Sequence, residues 1–219
     1  MVTRESFENS LHELQEKMKT MGDMAITSIE TAFEAFKTKD VEVALKVIEE
    51  DEDVDDLEIE INHFIIWLMA KEQPVARDLR RIIGALKISL EIERIADFGV
   101  NIAKSTIRIG NASSQVDISN LDKMKDISIT MLRKSLTSFI NGDINLAKEV
   151  GDLDDEVDAY SVELYKIITS YLKEHPEETE QLIQYLLINR YLERTADHIT
   201  NIAESAAYLL KGQMYDLNQ

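Results

Sequence analysis

Eight carboxylates recur in this chain at matched spacings. Glu93 and Asp97 sit in EIERIADFGVNIAKS (91–105), and Glu193 and Asp197 sit in YLERTADHITNIAES (191–205). The two phrases share the skeleton Glu-Arg-x-Ala-Asp-x-x-x-Asn-Ile-Ala-x-Ser at an offset of one hundred positions. A second set, Asp51 with Asp55 and Asp154 with Asp158, repeats at an offset of 103. Carboxylates four apart lie on one side of a helix, where a like-charge pair costs a few tenths of a kcal/mol in water. Partial burial raises that cost. Protonation, salt bridges to Arg94 and Arg194, or metal cations would each offset it. Four such pairs converging from antiparallel helices supply oxygen ligands suited to Fe, Mn, Mg or Zn.

Other candidate groups carry less. Glu60 and His63 form one Glu-x-x-His, but a ferritin-like dimetal oxidase requires two, and the 103 offset puts Lys166 opposite His63. His12, His175 and His198 are scattered, with Phe98 at the place that matches His198. Arg77, Arg80 and Arg81 make a basic spot, for which ion pairs with neighbouring acids are the first expectation. No Gly-rich phosphate loop, nucleophile elbow or catalytic triad pattern is present, and no enzyme activity is expected. A metal-free helical scaffold with solvated acid pairs is the other alternative.

The elements that must position these acids read as helices throughout, with no credible strand. A first helix is predicted over about 5–37, its stripe formed by Leu11, Leu14, Met18, Met21, Ala25, Ile29, Ala32, Phe33 and Phe36. Gly22 interrupts it, where glycine costs roughly 1 kcal/mol relative to Ala, so a close helix contact or a kink is expected. Asp40 caps a second helix that runs to Glu72 and is stopped by Gln73-Pro74, the proline suiting the start of the third. The third ends near Gly110, and GNASSQVDI (110–118) is the linker. The plan then recurs: a fourth helix, a turn at Asn141-Gly142-Asp143, a fifth, and a sixth opened by His175-Pro176-Glu177-Glu178. The predicted fold is all-α, two tandem three-helix bundles over 1–112 and 113–219, related by internal duplication and long in shape.

Spacing suggests where the acids face. In the third helix Leu79, Ile83, Leu86 and Leu90 lead to Glu93 and Asp97 in alternating steps of four and three, as on a bundle-facing stripe. In the sixth, Ile183 and Leu186 lead to Glu193 and Asp197. In the second, Leu45 and Ile48 lead to Asp51 and Asp55, and Ile59, Ile66 and Met69 resume. The expectation is that acids take positions the core would give to apolar residues.

Forty-two acidic against 24 basic residues give a net charge of −18, which repels phosphate backbones and argues against nucleic-acid binding. No apolar run is long enough to span a bilayer, and MVTRESFENSLHEL lacks the apolar region of a secretion signal. Cysteine is absent, which removes disulfides and thiolate ligands and fits a cytoplasmic location.

The twin phrases, the segment Gln73-Pro-Val-Ala-Arg-Asp-Leu-Arg80 and Thr20-Met21-Gly22 closely resemble the PhoU family, the phosphate-specific transport system accessory proteins of bacteria. The resemblance extends from the first helix to Lys211. It implies a cytoplasmic negative regulator of the phosphate-starvation response that also modulates phosphate uptake. Proteins of this kind act between the transporter ATPase and a sensor histidine kinase, often as homodimers, and meet the membrane through those partners only. It also implies multinuclear iron or zinc clusters. Carried over residue by residue, their ligands are Asp51, Asp55, Glu93 and Asp97 in the first copy, and Asp154, Asp158, Glu193 and Asp197 in the second.

Overall fold

Six helices account for nearly all of the backbone, with no strand among the described residues. The computed structural model describes residues 2–211. They are α1 (Val2–Thr38), α2 (Val41–Glu72), α3 (Arg77–Ile109), α4 (Ser119–Asn141), α5 (Ile144–Glu174) and α6 (Thr179–Lys211). Asp40 caps α2 as expected, accepting from the Glu42 and Val43 amides at 3.0 Å each. Asp143 does the same for α5 through the Asn145 amide at 2.9 Å. The prolines act differently from expectation. Pro74 stays in the coil and α3 starts three residues later, after Gln73 has closed α2 in the left-handed region (φ 46°). Pro176 opens a 3-10 turn, Pro176–Glu178, that leads into α6.

Each half of the chain is an antiparallel three-helix bundle, and the two share one continuous core. α3 packs on α6 and α1 on α4, so the third helix of each bundle is also the main joint between them. All nine residues of the α1 stripe are buried. Gly22 is explained by the α1–α4 crossing: a Cβ there would collide with the Leu136 side chain. Gly99 plays the matching part between α1 and α3, where a Cβ would lie 3.1 Å from the Ser28 carbonyl carbon.

The stripe that leads to the acids is not the core stripe. Ile82, Ala85, Ile88, Ile92, Ile95 and Ala96 fill the core from α3, whereas Ile83 and Leu90 are exposed, Leu90 to 50%. Leu45, Ile59, Ile66 and Met69 on α2, and Ile183 on α6, are likewise exposed, Ile66 to 65%. The physical reason lies in packing. α3 touches α1, α2 and α6 and so buries most of its circumference. Its apolar residues therefore satisfy two parallel stripes of three-four spacing, and periodicity cannot say which is inside. All of the acids except the buried Asp154 lie on the open face of each hairpin, continued toward the hairpin turn by exposed apolar side chains.

Candidate functional site

The antiparallel run of α2 against α3 sets the first acid pairs opposite one another. Asp51 is half-buried, and its carboxyl is pushed up to about 6 by burial, then by the charges of Asp55 and Asp97. Glu93 is raised for the same reasons, burial first and then Asp97, with Asp55 and Glu58 adding to it. Carboxylates from both helices thus share one field. Basic groups relieve it in part. Arg94 Nη1 donates to Asp97 Oδ2 at 3.0 Å, and its Nε lies 3.5 Å from Glu93 Oε2. Lys104 draws Asp51 downward.

The α5/α6 hairpin builds the second cluster from Asp154, Asp158, Glu193 and Asp197. Asp154 is only 7% exposed, and its Oδ1 has neither solvent nor a hydrogen-bond partner. Glu193 Oε2 is in the same condition. Burial, followed by Asp158 and Asp197, lifts Asp154 to about 6. The nearby Thr200 hydroxyl donates to the Ala196 carbonyl at 3.1 Å and relieves Asp154 only in part. Asp158 is raised by burial and then Asp197, and Glu193 by burial and then Asp197. None of these four acids has an ion pair among the described residues.

This donor set suits a hard or borderline cation: it is all oxygen, anionic and partly desolvated, and two of its buried oxygens have no partner. Within neither cluster do three ligand oxygens lie within 4.8 Å of one another. Among the described residues the group that does is His175, Glu177 and Glu178, at the α5/α6 joint. There the His175 ring stacks on Tyr171 (centroids 4.1 Å apart) with Nδ1 3.3 Å from Glu177 Oε1. Sequence reading placed His175-Pro-Glu-Glu at a helix start and did not see that the turn gathers the three side chains.

The Glu-x-x-His element does not join the first cluster. Glu60 is bound by Lys17 of α1 at 2.8 Å, and His63 is exposed. The expected ion pairs of the basic spot are also missing: neither Arg80 nor Arg81 makes one among the described residues. Arg80 and Lys87 instead line a cleft of about 350 Å³ with Ile83, Glu204 and Tyr208, between α3 and α6. The side chain of Arg77 lies outside the described residues.

A model of the PhoU domain matches residues 18–106 and again 121–206. The chain belongs to the PhoU family. Each matched segment contains one of the two carboxylate clusters. A phosphate-specific transport system accessory protein PhoU homolog of Clostridium acetobutylicum is 34% identical over 99% of this chain and 100% of its own length. A PhoU homolog of Xylella fastidiosa is 33% identical over 95% of this chain and 88% of its own. Among solved structures, PhoU from Pseudomonas aeruginosa superposes with a TM-score of 0.90 at 27% identity, covering 94% of this chain and 100% of that one. The PhoU of Streptococcus pneumoniae gives 0.89 at 30% identity, over 96% and 99%. No helix among the described residues is long and apolar enough to cross a membrane.

One further group in this PhoU-family chain escaped the sequence. Glu91, two residues before Glu93, reaches across the joint between the bundles to His198 and Asn201 of α6. The repeat carried a signal: Glu91 and His198 are two of the positions where the phrases differ in chemistry, against Tyr191 and Phe98.

Proposed function

We propose that this chain is an accessory regulator of phosphate uptake and a negative regulator of the phosphate-starvation response. It holds metal cations, iron or zinc before manganese or magnesium, in the two carboxylate clusters. Its halves, 1–112 and 113–219, act as two units of one adaptor that works between the transporter ATPase and the sensor histidine kinase at the inner face of the membrane. A second copy of the chain completes the working homodimer. Membership of the PhoU family supports the phosphate role, and the accessory-protein description of the relatives supports the link to a transporter.

The observation that carries the metal reading is Asp154. A carboxylate 93% buried, with an oxygen that meets neither water nor a donor and two more carboxylates beside it, needs a counter-ion. A cation bound there changes the charge of the open face of the α5/α6 hairpin, which also carries the exposed Val162 and Ile183 that a partner would cover. Metal occupancy and partner docking are thereby coupled through one surface.

Two measurements test this. Protein purified without chelator or an affinity tag carries at least one metal ion per chain, and Asp154→Asn combined with Asp197→Asn lowers that content. Equal, negligible metal in wild type and variant leaves a metal-free scaffold. Deletion of the gene raises alkaline phosphatase in high phosphate; unchanged activity in a strain lacking any second PhoU-family protein removes the repressor role.

A further inference from the structure

The two clusters are copies in sequence but not in charge balance. In the α2/α3 cluster Arg94 already bridges Asp97 (3.0 Å) and Glu93 (3.5 Å), and Lys104 lies close enough to act on Asp51. In the α5/α6 cluster Arg190 and Arg194 act on Glu193 but bridge none of the four acids, and residue 204, the counterpart of Lys104, is a glutamate. Asp154 is buried where Asp51 is half-exposed, and the oxygens without a partner, Asp154 Oδ1 and Glu193 Oε2, both belong to this second cluster.

Resting on the reading that both clusters take cations, we propose that they fill in order, α5/α6 first. In this scheme Arg94 is the internal cation that a metal must displace from the α2/α3 cluster. Two effects act in the same direction. A buried anion without a partner gains more from a cation than a half-solvated one, because its field is less screened. A carboxylate already held by a guanidinium must exchange one cation for another. Arg94 is 60% exposed, so its ion pairs are weak and it can swing into solvent without disturbing the core. Arg94 therefore positions the threshold of the second filling step without being a ligand.

The experiment is a Mn²⁺ titration of chelator-treated full-length protein by calorimetry, with free Mn²⁺ counted in parallel by its paramagnetic resonance signal. Two classes of site are expected, separated by about tenfold or more in affinity. Asp154→Asn abolishes the tight class and spares the weak one. Arg94→Gln tightens the weak class about threefold to tenfold and leaves the tight class in place, while Arg194→Gln shifts the tight class far less. Circular dichroism melts of Arg94→Gln match wild type, since an exposed side chain is lost. Indistinguishable affinities for two occupied classes, or a weak class indifferent to Arg94→Gln, overturn the order of filling while leaving metal binding intact. No Mn²⁺ binding to either cluster overturns the metal reading itself, and this inference with it.

Discussion

Glu91 Oε2 accepts a hydrogen bond from His198 Nδ1 at 2.6 Å across the α3/α6 joint, and a second from Asn201 Nδ2 at 3.2 Å. Its symmetry mate in the duplication is an aromatic contact: Tyr191 of α6 stacks on Phe98 of α3 with ring centroids 6.2 Å apart. Phe98 and His198, which hold matching places in the two phrases, themselves meet at 5.5 Å. The same pair of positions is thus solved once with charge and once with aromatic surface. The joint between the two bundles has lost the symmetry of the repeat, whereas the four acids are kept in both copies.

The joint titrates. Burial pushes the Glu91 carboxyl up, but the hydrogen bonds from His198 and Asn201, with the nearby charges of His198 and Arg94, hold the group below its ordinary value. A depressed carboxylate stabilises the fold above its ordinary pKa, and that contribution is lost as pH falls through the folded value. His198→Phe removes the better donor from a half-buried carboxylate and is expected to cost about 1–3 kcal/mol at neutral pH. The double variant Glu91→Tyr/His198→Phe rebuilds the Tyr191–Phe98 arrangement on the other side and recovers most of the loss. Urea unfolding of the four-member cycle measures this. A coupling below about 0.5 kcal/mol would show that the two side chains act independently.

Asp154 is expected to behave in the opposite sense. Its carboxyl is raised to about 6, so the folded protein holds the proton more tightly than the unfolded chain. Stability therefore declines as pH rises from the ordinary carboxylate value through about 6, and the full penalty is present above that. That rise of the carboxyl corresponds to roughly 3 kcal/mol before relaxation, and about 1–2 kcal/mol is expected in practice. With chelator present at neutral pH, Asp154→Asn should raise the melting temperature by roughly 2–8 °C, given about 2–4 °C per kcal/mol at this size. Near pH 4 the gain should vanish. Saturating Mn²⁺ should reverse the order, because the amide lacks the charge that a cation rewards. Lower stability of the variant at neutral pH without metal would mean that Asp154 already has a partner.

The helices, their caps and their pairing were legible because each signal is local. Asp40 and Asp143 precede helical runs, and Gly22 stands alone in an otherwise strong helix former. The duplication was legible from ERIAD and ERTAD alone. What one chain of letters could not decide was rotation: Ile83 and Leu90 satisfy the same spacing as Ile82, Ile88 and Ile92, and only contact with α1 and α6 chooses between them. The eight acids were found by repetition, but their placement on an open face follows from that choice of rotation. Glu91–His198 and the His175–Glu178 turn depend on contacts that no spacing encodes. The corrected rotation predicts a clear contrast. Leu90→Ala, at an exposed site, should cost less than about 1 kcal/mol, whereas Ile92→Ala, at a fully buried one, should cost about 2–5 kcal/mol. Chemical denaturation at neutral pH distinguishes them, and similar losses would restore the stripe that the spacing first suggested.

Two glycines test how closely the helices must approach beside the clusters. At Gly22 an added Cβ meets the far end of the Leu136 side chain, which can rotate away. Gly22→Ala also gains about 1 kcal/mol of helix propensity, so its net effect should stay within about 1 kcal/mol of zero. At Gly99 the Cβ would press on backbone, 3.1 Å from the Ser28 carbonyl carbon and 3.3 Å from the Ile29 nitrogen, and a helix axis cannot rotate out of the way as a side chain can. Gly99→Ala should therefore cost about 1–3 kcal/mol despite the same propensity gain. Because Gly99 lies two residues beyond Asp97, the displacement should also loosen the α2/α3 cluster, and Mn²⁺ affinity of that cluster should fall with stability. Thermal melts of the two variants, each compared with wild type, decide the matter: equal shifts would mean that α3 is free to move away from α1, and that the close packing of these helices does not hold the acids in place.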